Sequence, residues 1–290
     1  MRAARVRRVL VADPVPGAPS CALGESPRWH EGAWWWVDVP DGTVFRATEA
    51  GGTWTVTPWW RAGERVSLVH PAGPGRLLVA RGGRLEIRLT ARPDTVEQTV
   101  AAVPLEPGWV LGDGLIDRLG AIWIGVIAPE PHRDRGALIR VMPDGSIRTA
   151  LRSVLMSNGL ALADGGKLLY HADSSRGVVW RHRLSADGDL TSSAEFLRFA
   201  TDEGMPDGLC LDGAGRLWVA VYGAGEVRCH DASGAIVTAA AIAVPQSTGV
   251  WVGGPDGDRL LVTSGREGYR EADRLARPLA GTTFTARVPP

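Results

Sequence analysis

Short apolar stretches separated by glycine turns recur along the whole chain. Each repeat has a polar or glycine-containing opening, a short apolar strand, a glycine turn and a second strand of the Leu-Trp-Val-Ala type. A third strand and an outer strand follow most copies, and no segment has the sustained period of about 3.6 residues that helices require. Six copies occur at intervals of 41 to 49 residues. They begin at Glu25, Val66, Asp113, Asn158, Asp207 and Gly249.

Four short strands in each repeat of this length are typical of one propeller blade. The repeat therefore predicts an all-β, six-bladed β-propeller with few helices. The stretch AGTTFTARV at 280–288 follows the sixth copy, and we expect it to pair with residues 7–12 and close the ring. Closure matters because an open sheet edge exposes unpaired backbone groups. No linker interrupts the pattern, so residues 1–290 are predicted to form a single domain.

Composition excludes several classes of partner. The chain has 32 basic and 32 acidic residues, so no electrostatic attraction to nucleic acid or an anionic membrane is expected. Its longest apolar runs fall far short of the roughly 20 residues that span a bilayer. Its three cysteines include no closely spaced pair. We expect a cytoplasmic protein with a small-molecule substrate and no obligate protein partner.

Four polar residues occupy similar places in their own repeats. Glu25, Asp113, Asn158 and Asp207 each lie ten or eleven residues before the central Trp or Leu of the repeat. Because the innermost strand of a blade faces the central channel, we expect these side chains to converge there. Two carboxylates and a carboxamide oxygen form a hard, oxygen-rich site. The pattern therefore predicts a central site for a divalent metal ion.

A turn is the competing interpretation of two of these residues. Asn-Gly and Asp-Gly dipeptides are common turn formers, and Asn158 and Asp207 each precede a glycine. Their shared register, at the other end of the strand from the turns, favours the channel, and Glu25 belongs to no such dipeptide. Four other Asp-Gly dipeptides are expected to be turns only, at 41–42, 144–145, 187–188 and 256–257.

Four groups of short motifs are spread along almost the whole chain. They are LGESPRW at 23–29 with WWWVD at 34–38, SNGLA at 157–161 with YHADS at 170–174, PDGL at 206–209 with GRLWVA at 215–220, and PLAG at 278–281. In this order they resemble the motifs of the SMP-30/gluconolactonase/regucalcin family. The resemblance implies that Glu25, Asn158 and Asp207 hold one divalent ion, and that Asp207 is also the general base. Calcium is the expected ion, with zinc, manganese and magnesium as alternatives.

One motif departs from the family pattern. Lactonases of the family carry Arg-x-Asn-Asp-Gly at the substrate site, and the matching residues here include Val110, Gly112 and Asp113. Loss of the Arg and the Asn, with Trp109 alongside, predicts a less polar substrate than a sugar lactone. Asp113, Trp109 and Glu130 are expected to contact the substrate.

Two further residues are interpreted from their place beside the central motif. His171 is a candidate for lining the channel, against simple packing, and Asp173 is expected to support the site without binding the ion. The histidines have no HExxH spacing, and no GxSxG or nucleotide-binding loop occurs. The expected activity is metal-dependent hydrolysis of a lactone or related small ester. The alternatives are a relative recruited to another metal-assisted reaction and a non-catalytic propeller that binds a ligand or partner.

Overall fold

The computed structural model describes residues 9–130 and 134–288, which form six sheets. The chain starts with two short strands, β1 (Val9–Val11) and β2 (Asp13–Pro14). Blade 1 consists of β3 (Gly24–His30), β4 (Ala33–Asp38), β5 (Thr43–Ala50) and β6 (Thr53–Arg61). Blade 2 consists of β7 (Val66–Pro71), β8 (Arg76–Arg81), β9 (Arg84–Leu89) and β10 (Arg92–Ala102).

The third and fourth blades repeat this arrangement. Blade 3 consists of β11 (Val110–Ile116), β12 (Ile122–Ile127), β13 (Gly136–Val141) and β14 (Ile147–Val154). Blade 4 consists of β15 (Ser157–Ala163), β16 (Leu168–Asp173), β17 (Val178–Leu184) and β18 (Leu190–Arg198). Short 3-10 turns precede and follow β16, at Asp164–Gly166 and Ser174–Arg176.

The last two blades contain the strands that meet the N-terminal segment. Blade 5 consists of β19 (Met205–Leu211), β20 (Leu217–Tyr222), β21 (Glu226–His230) and β22 (Ile236–Ala241). Blade 6 contains β23 (Ser247–Gly253), β24 (Arg259–Ser264) and β25 (Phe284–Arg287), with the helix α1 (Glu271–Ala276) between β24 and β25. No helix in the described parts of the chain is long and apolar enough to cross a membrane.

The six sheets form a closed ring. Each innermost strand contacts the innermost strands of both neighbouring blades, and β23 of blade 6 contacts β3 of blade 1. Strands β3 to β25 pair antiparallel in chain order within their blades. These contacts confirm the six-bladed β-propeller that the repeat predicts.

Ring closure uses slightly different residues from those we predicted. The outer strand of blade 6 is β2, which pairs antiparallel with β25, so residues 13–14 close the blade instead of residues 7–12. The preceding strand β1 pairs parallel with β22 and adds a fifth strand to blade 5. Pro14 is acceptable in β2 because an outer strand needs fewer backbone donors. Residues 7 and 8 lie outside the described residues.

The hydrophobic core lies between the blades. Among the described residues, six clusters of buried side chains each fill one interface between neighbouring blades. Trp34 and Trp36 pack between blades 6 and 1, and Trp35 packs between blades 1 and 2. Trp123 and Trp218 occupy the interfaces between blades 3 and 4 and between blades 5 and 6. Large aromatic side chains suit flat sheet faces that must cover each other completely.

A β-bulge interrupts every innermost strand near its start. A bulge leaves residues unpaired and redirects their side chains, which brings the bulged residues toward the channel. The register shifts lie between Glu25 and Arg28, Val66 and Leu68, Leu111 and Gly114, Ser157 and Leu160, Pro206 and Leu209, and Ser247 and Val250.

Candidate metal and active site

A cavity of about 300 Å³ opens at the channel end where the innermost strands begin. It brings together the four residues with similar repeat positions, and both polar and apolar residues line it. The polar residues include Glu25, Ser67, Asp113, Asn158, Asp207 and Glu267. The apolar residues include Leu23, Val39, Val110, Ile127, Met156 and Met205.

The four predicted residues do not share one position at the bulge. Asn158 and Asp207 each take the first unpaired position of their strands. In blade 3 that position belongs to Gly112, and Asp113 follows it. Glu25 is still paired and precedes the bulge of blade 1 by one residue. Asn158 and Asp207 therefore share one position. Asp113 lies one residue after that position and Glu25 one residue before it.

The Asn-Gly and Asp-Gly dipeptides of blades 4 and 5 lie inside strands. Their glycines, Gly159 and Gly208, are absent from the residues with positive φ, whereas the four predicted turn glycines all have positive φ. A Cβ at Gly159 would lie under 3.0 Å from the backbone of Asp207 and Leu209 in the next blade. Glycine is required here because the innermost strands approach each other closely, which excludes the turn interpretation.

A hydrogen-bond relay fixes the orientation of the Asn158 carboxamide. Ser174 Oγ donates to the carbonyl oxygen of Pro206 at 2.6 Å. The single hydroxyl proton of Ser174 is then used, so its oxygen accepts a hydrogen bond from Asn158 Nδ2 at 2.9 Å. Asn158 Oδ1 makes no hydrogen bond to the described residues. This oxygen is therefore available as a ligand.

The carboxylates of Glu25 and Asp207 form no ion pair with any described residue. Burial, followed by the nearby charge of Asp113, raises the pKa of Glu25 to about 8. Burial, followed by the charge of Glu25, raises the pKa of Asp207 well above its usual value. Two carboxylates in such surroundings repel each other unless a proton or a cation lies between them.

A metal site here requires the carboxamide. In the described parts of the chain, no three His, Cys, Asp or Glu side chains are arranged to hold an ion by themselves. Glu25, Asp207 and Asn158 Oδ1 together provide three hard oxygen ligands, with space in the cavity for water. This donor set fits calcium, magnesium or manganese and also admits zinc.

Asp113 is held by a buried arginine that the repeat analysis did not single out. Arg28 donates to Asp113 Oδ1 at 3.0 Å and to the Gly114 carbonyl at 3.1 Å, and it lies over the Trp251 ring. The backbone N–H of Gly114 donates to the same Asp113 oxygen. The signal in the sequence was a charged residue at the first paired position after the bulge, which is apolar or glycine in the other five repeats.

Asp173 supports the wall of the cavity. Its carboxylate accepts hydrogen bonds from the backbone N–H groups of Leu155 and Met156. It also accepts one from Arg176 Nε. Asp38 accepts equivalent backbone hydrogen bonds at Leu23 and its predecessor in blade 1. Both carboxylates fix the segment that leads into an innermost strand, so Asp173 contacts the site through the backbone only.

The structure does not bring the remaining predicted residues to the cavity. Trp109 packs against the cluster between blades 2 and 3 and lies beside Arg135. Glu130 is exposed and borders residues 131–133, which lie outside the described residues. His171 is fully buried between blades, where its Nε2 is 2.8 Å from Ser157 Oγ.

Three further residues at the cavity were not predicted. Tyr222 ends β20, and burial followed by the charge of Glu267 raises its pKa to about 12. Glu267 lies after β24, and Arg65 lies immediately before β7. All three stand outside the bulge register, so superposition of the repeats could not identify them.

A family model described as "SMP-30/Gluconolactonase/LRE-like region" matches residues 23–266. The chain belongs to this family. This match confirms the resemblance that the motifs carry, and it covers all the innermost strands from β3 to β23.

Relatives match along nearly their whole length. Regucalcin from Xenopus laevis is 30% identical over 278 residues, which cover 90% of this chain and 89% of that protein. The 6-deoxy-6-sulfogluconolactonase from Pseudomonas putida is 29% identical over 276 residues, with 92% and 91% covered. The crystal structure of the calcium-binding protein regucalcin from Agrobacterium tumefaciens superimposes with a TM-score of 0.86 at 26% identity, covering 97% of this chain and 95% of that one.

Proposed function

We propose that this protein is a metal-dependent hydrolase that opens a lactone or a related small ester. The observation that carries the proposal is the convergence of Glu25, Asn158 Oδ1 and Asp207 on one cavity of about 300 Å³. The similarity to a 6-deoxy-6-sulfogluconolactonase supports the reaction class. The similarity to a calcium-binding regucalcin supports calcium as the ion, with zinc, manganese and magnesium as alternatives.

Glu25, Asn158 and Asp207 would hold the ion. Bound there, a divalent ion would polarise a carbonyl oxygen and lower the pKa of a bound water. Asn158 donates a hydrogen bond to Ser174 through Nδ2, which fixes the orientation of the carboxamide. The other carboxamide atom, Oδ1, is left free to bind the ion. The two carboxylates supply the negative charge that compensates a divalent cation.

Asp207 is positioned to accept the proton of the attacking water. Burial and the charge of Glu25 raise the pKa of Asp207 well above its usual value, and a bound cation would keep the carboxylate ionised, as a general base requires. Tyr222 keeps its proton at neutral pH and provides a hydrogen-bond donor in the same cavity. The apolar residues that line the cavity limit the amount of water around the scissile bond.

The shape of blade 3 supports a less polar substrate than a sugar lactone. Val110 and Ile127 present hydrocarbon to the cavity. A Cβ at Gly112 would lie 2.6 Å from the Ser157 carbonyl oxygen, so a larger residue does not fit this backbone. The polar contacts that the family motif places here are therefore replaced by packing.

The decisive experiment combines metal exchange with two aspartate variants. Protein stripped with a chelator is reloaded with calcium, zinc, manganese or magnesium and tested on sugar lactones, apolar lactones and an aryl ester. We expect activity to return with metal, and Asp207→Asn to lower it about 10²–10⁴-fold. Asp256→Asn is the matched control, because Asp256 also precedes a glycine but lies in an exposed turn.

Two results would contradict the proposal. Turnover in stripped protein or in Asp207→Asn that is as high as in the metal-loaded wild type would exclude the proposed site. Stoichiometric metal binding with no turnover on any of these substrates would favour a non-catalytic propeller.

A further inference from the structure

Arg65 carries the one cationic side chain among the described residues that line the cavity. Its Nε is buried and has no hydrogen-bond partner. Its guanidinium forms no ion pair with any residue that the structure describes. Removing a guanidinium partly from water without giving it a partner costs free energy. Arg65 therefore has unsatisfied N–H donors that a ligand in the cavity can satisfy.

The acidic residues nearest to Arg65 in sequence are already engaged. Even Glu64, its direct neighbour in the chain, turns to a different arginine. The three glutamates of blade 2 pair as follows: Glu64 with Arg81, Glu86 with Arg81 and Arg88, and Glu97 with Arg76. Arg65 is thus left without a counter-ion among the described residues, while Arg76, Arg81 and Arg88 of the same blade are paired.

The ring places Arg65 away from Asp207. Blade 2 lies opposite blade 5 in a closed ring of six, so Arg65 and Asp207 approach the cavity from opposite sides. Glu25 and Glu267 belong to blades 1 and 6, next to the ring closure. Blade 3 is next to blade 2 in the ring, and its Val110 is one of the apolar residues that line the cavity. A ligand whose carbonyl lies at Asp207 therefore extends past hydrocarbon toward a free guanidinium.

We propose that Arg65 is a specificity-determining residue that binds a carboxylate at the far end of the substrate. The planar guanidinium matches a carboxylate through two parallel hydrogen bonds. Val110 and Ile127 pack against the carbons between the two ends. The inference rests on the proposed function and names its substrate class: a lactone whose apolar side chain ends in a carboxylate.

The test uses a matched pair of probes. One is γ-butyrolactone with a 3-carboxypropyl side chain, and the other is the same lactone with a neutral carboxamide in place of the carboxylate. Ring opening is followed by proton release with the metal-loaded protein. We expect the KM for the carboxylate to be at least about 10-fold lower than for the carboxamide.

Variants at Arg65 separate recognition from catalysis. Arg65→Gln should raise the KM for the carboxylate about 10- to 100-fold and raise the KM for the carboxamide by a clearly smaller factor. Arg65→Lys should recover part of the loss, because it keeps the charge without the planar fork. Arg84→Gln is the control, since Arg84 is an exposed arginine of the same blade. Thermal unfolding checks that each variant is folded.

Equal losses on both probes in Arg65→Gln would overturn the inference. Calorimetry with the ring-opened form of each probe provides a readout that does not depend on turnover. If wild type opens neither lactone, the proposed function fails for this class of lactone. The inference about Arg65 then stands or falls on whether Arg65→Gln selectively weakens binding of the dicarboxylate.

Discussion

Blades 4 and 5 and blades 2 and 3 contribute the same backbone feature to the cavity but different chemistry. All four innermost strands bulge at the same place. In blades 4 and 5 the bulge presents Asn158 and Asp207, whereas the equivalent residues of blades 2 and 3 are Ser67 and Gly112. The repeat therefore places one residue of each of these blades at the cavity. The type of that residue decides whether the blade can contribute a ligand for the metal ion.

The two regions also differ in what supports the bulged residue. Asn158 is connected through Ser174 to the Pro206 carbonyl of the next blade. The hydroxyl of Ser67 is buried and has no hydrogen-bond partner among the described residues. The carboxamide of Asn158 is thus fixed by a contact between blades, whereas the described residues provide no such contact to the hydroxyl of Ser67.

The largest expected effect comes from breaking the close approach of blades 4 and 5. Gly159→Ala places a Cβ against the backbone of Asp207 and Leu209, so we expect a loss of at least about 3 kcal/mol in the free energy of unfolding. Urea denaturation measures it. Gly213→Ala is the matched control because no atom lies within 4 Å of the added methyl group. Similar values for the two variants would show that blade contact is not limiting.

Removing the relay between blades 4 and 5 should have the next largest effect. Ser174→Ala leaves Asn158 Nδ2 and the Pro206 carbonyl oxygen without their partner. We expect a loss of about 1–3 kcal/mol in the free energy of unfolding. Metal affinity should fall about 10- to 100-fold, because the carboxamide is no longer oriented. Urea denaturation and metal titration measure the two effects, and unchanged affinity would contradict the assigned role of Ser174.

The packing behind the blade 4 bulge predicts a dependence on pH. Burial lowers the pKa of His171 to about 3 and of His182 to about 4, and the two rings are 5.9 Å apart. Both are neutral when folded, so stability is present above the unfolded pKa of about 6.5 and is lost as pH falls toward the folded values. Between pH 7 and 5 each histidine should cost about 2 kcal/mol. The fall in the free energy of unfolding between pH 7 and 5 should be about 2 kcal/mol smaller in His182→Gln than in wild type. Urea denaturation at both pH values measures it, and an equal fall in the two proteins would refute the prediction.

The smallest effect is expected on the unsupported side. Ser67→Ala removes a buried hydroxyl that has no partner, so the free energy of unfolding should change by less than about 1 kcal/mol, in the stabilising direction. Metal affinity should also remain unchanged. A loss as large as that of Ser174→Ala would mean that Ser67 contributes to the site and would remove the difference between the two regions.

The repeat pattern predicts the ring and the general place of the site. Six openings with similar spacing correspond to six bulged innermost strands, and the turn glycines such as Gly42 and Gly145 occupy turns. Asn158 and Asp207 could be superimposed because they share one bulge position. The offset of Glu25 and Asp113 by one residue depends on where the bulge falls, which a count of residues to the next tryptophan does not resolve.

Other residues depend on contacts that no local pattern records. Glu267 and Tyr222 reach the cavity from outside the aligned positions, and Glu64 pairs with Arg81 instead of its neighbour Arg65. His171 was considered for the channel because of its neighbours in sequence. It lies in the layer between blades, because side chains of a second strand face the adjacent sheet.

The closure of blade 6 by β2 has a consequence for the timing of folding. Residues 13–14 pair with residues 284–285, so the ring closes only after nearly all of the described chain has been synthesised. Glu25 and Glu267 belong to blades on either side of this junction. A nascent chain that lacks its last blade would carry most of the donor atoms without the enclosed cavity. An ion or substrate that bridges the junction would then favour the closed ring over the open one.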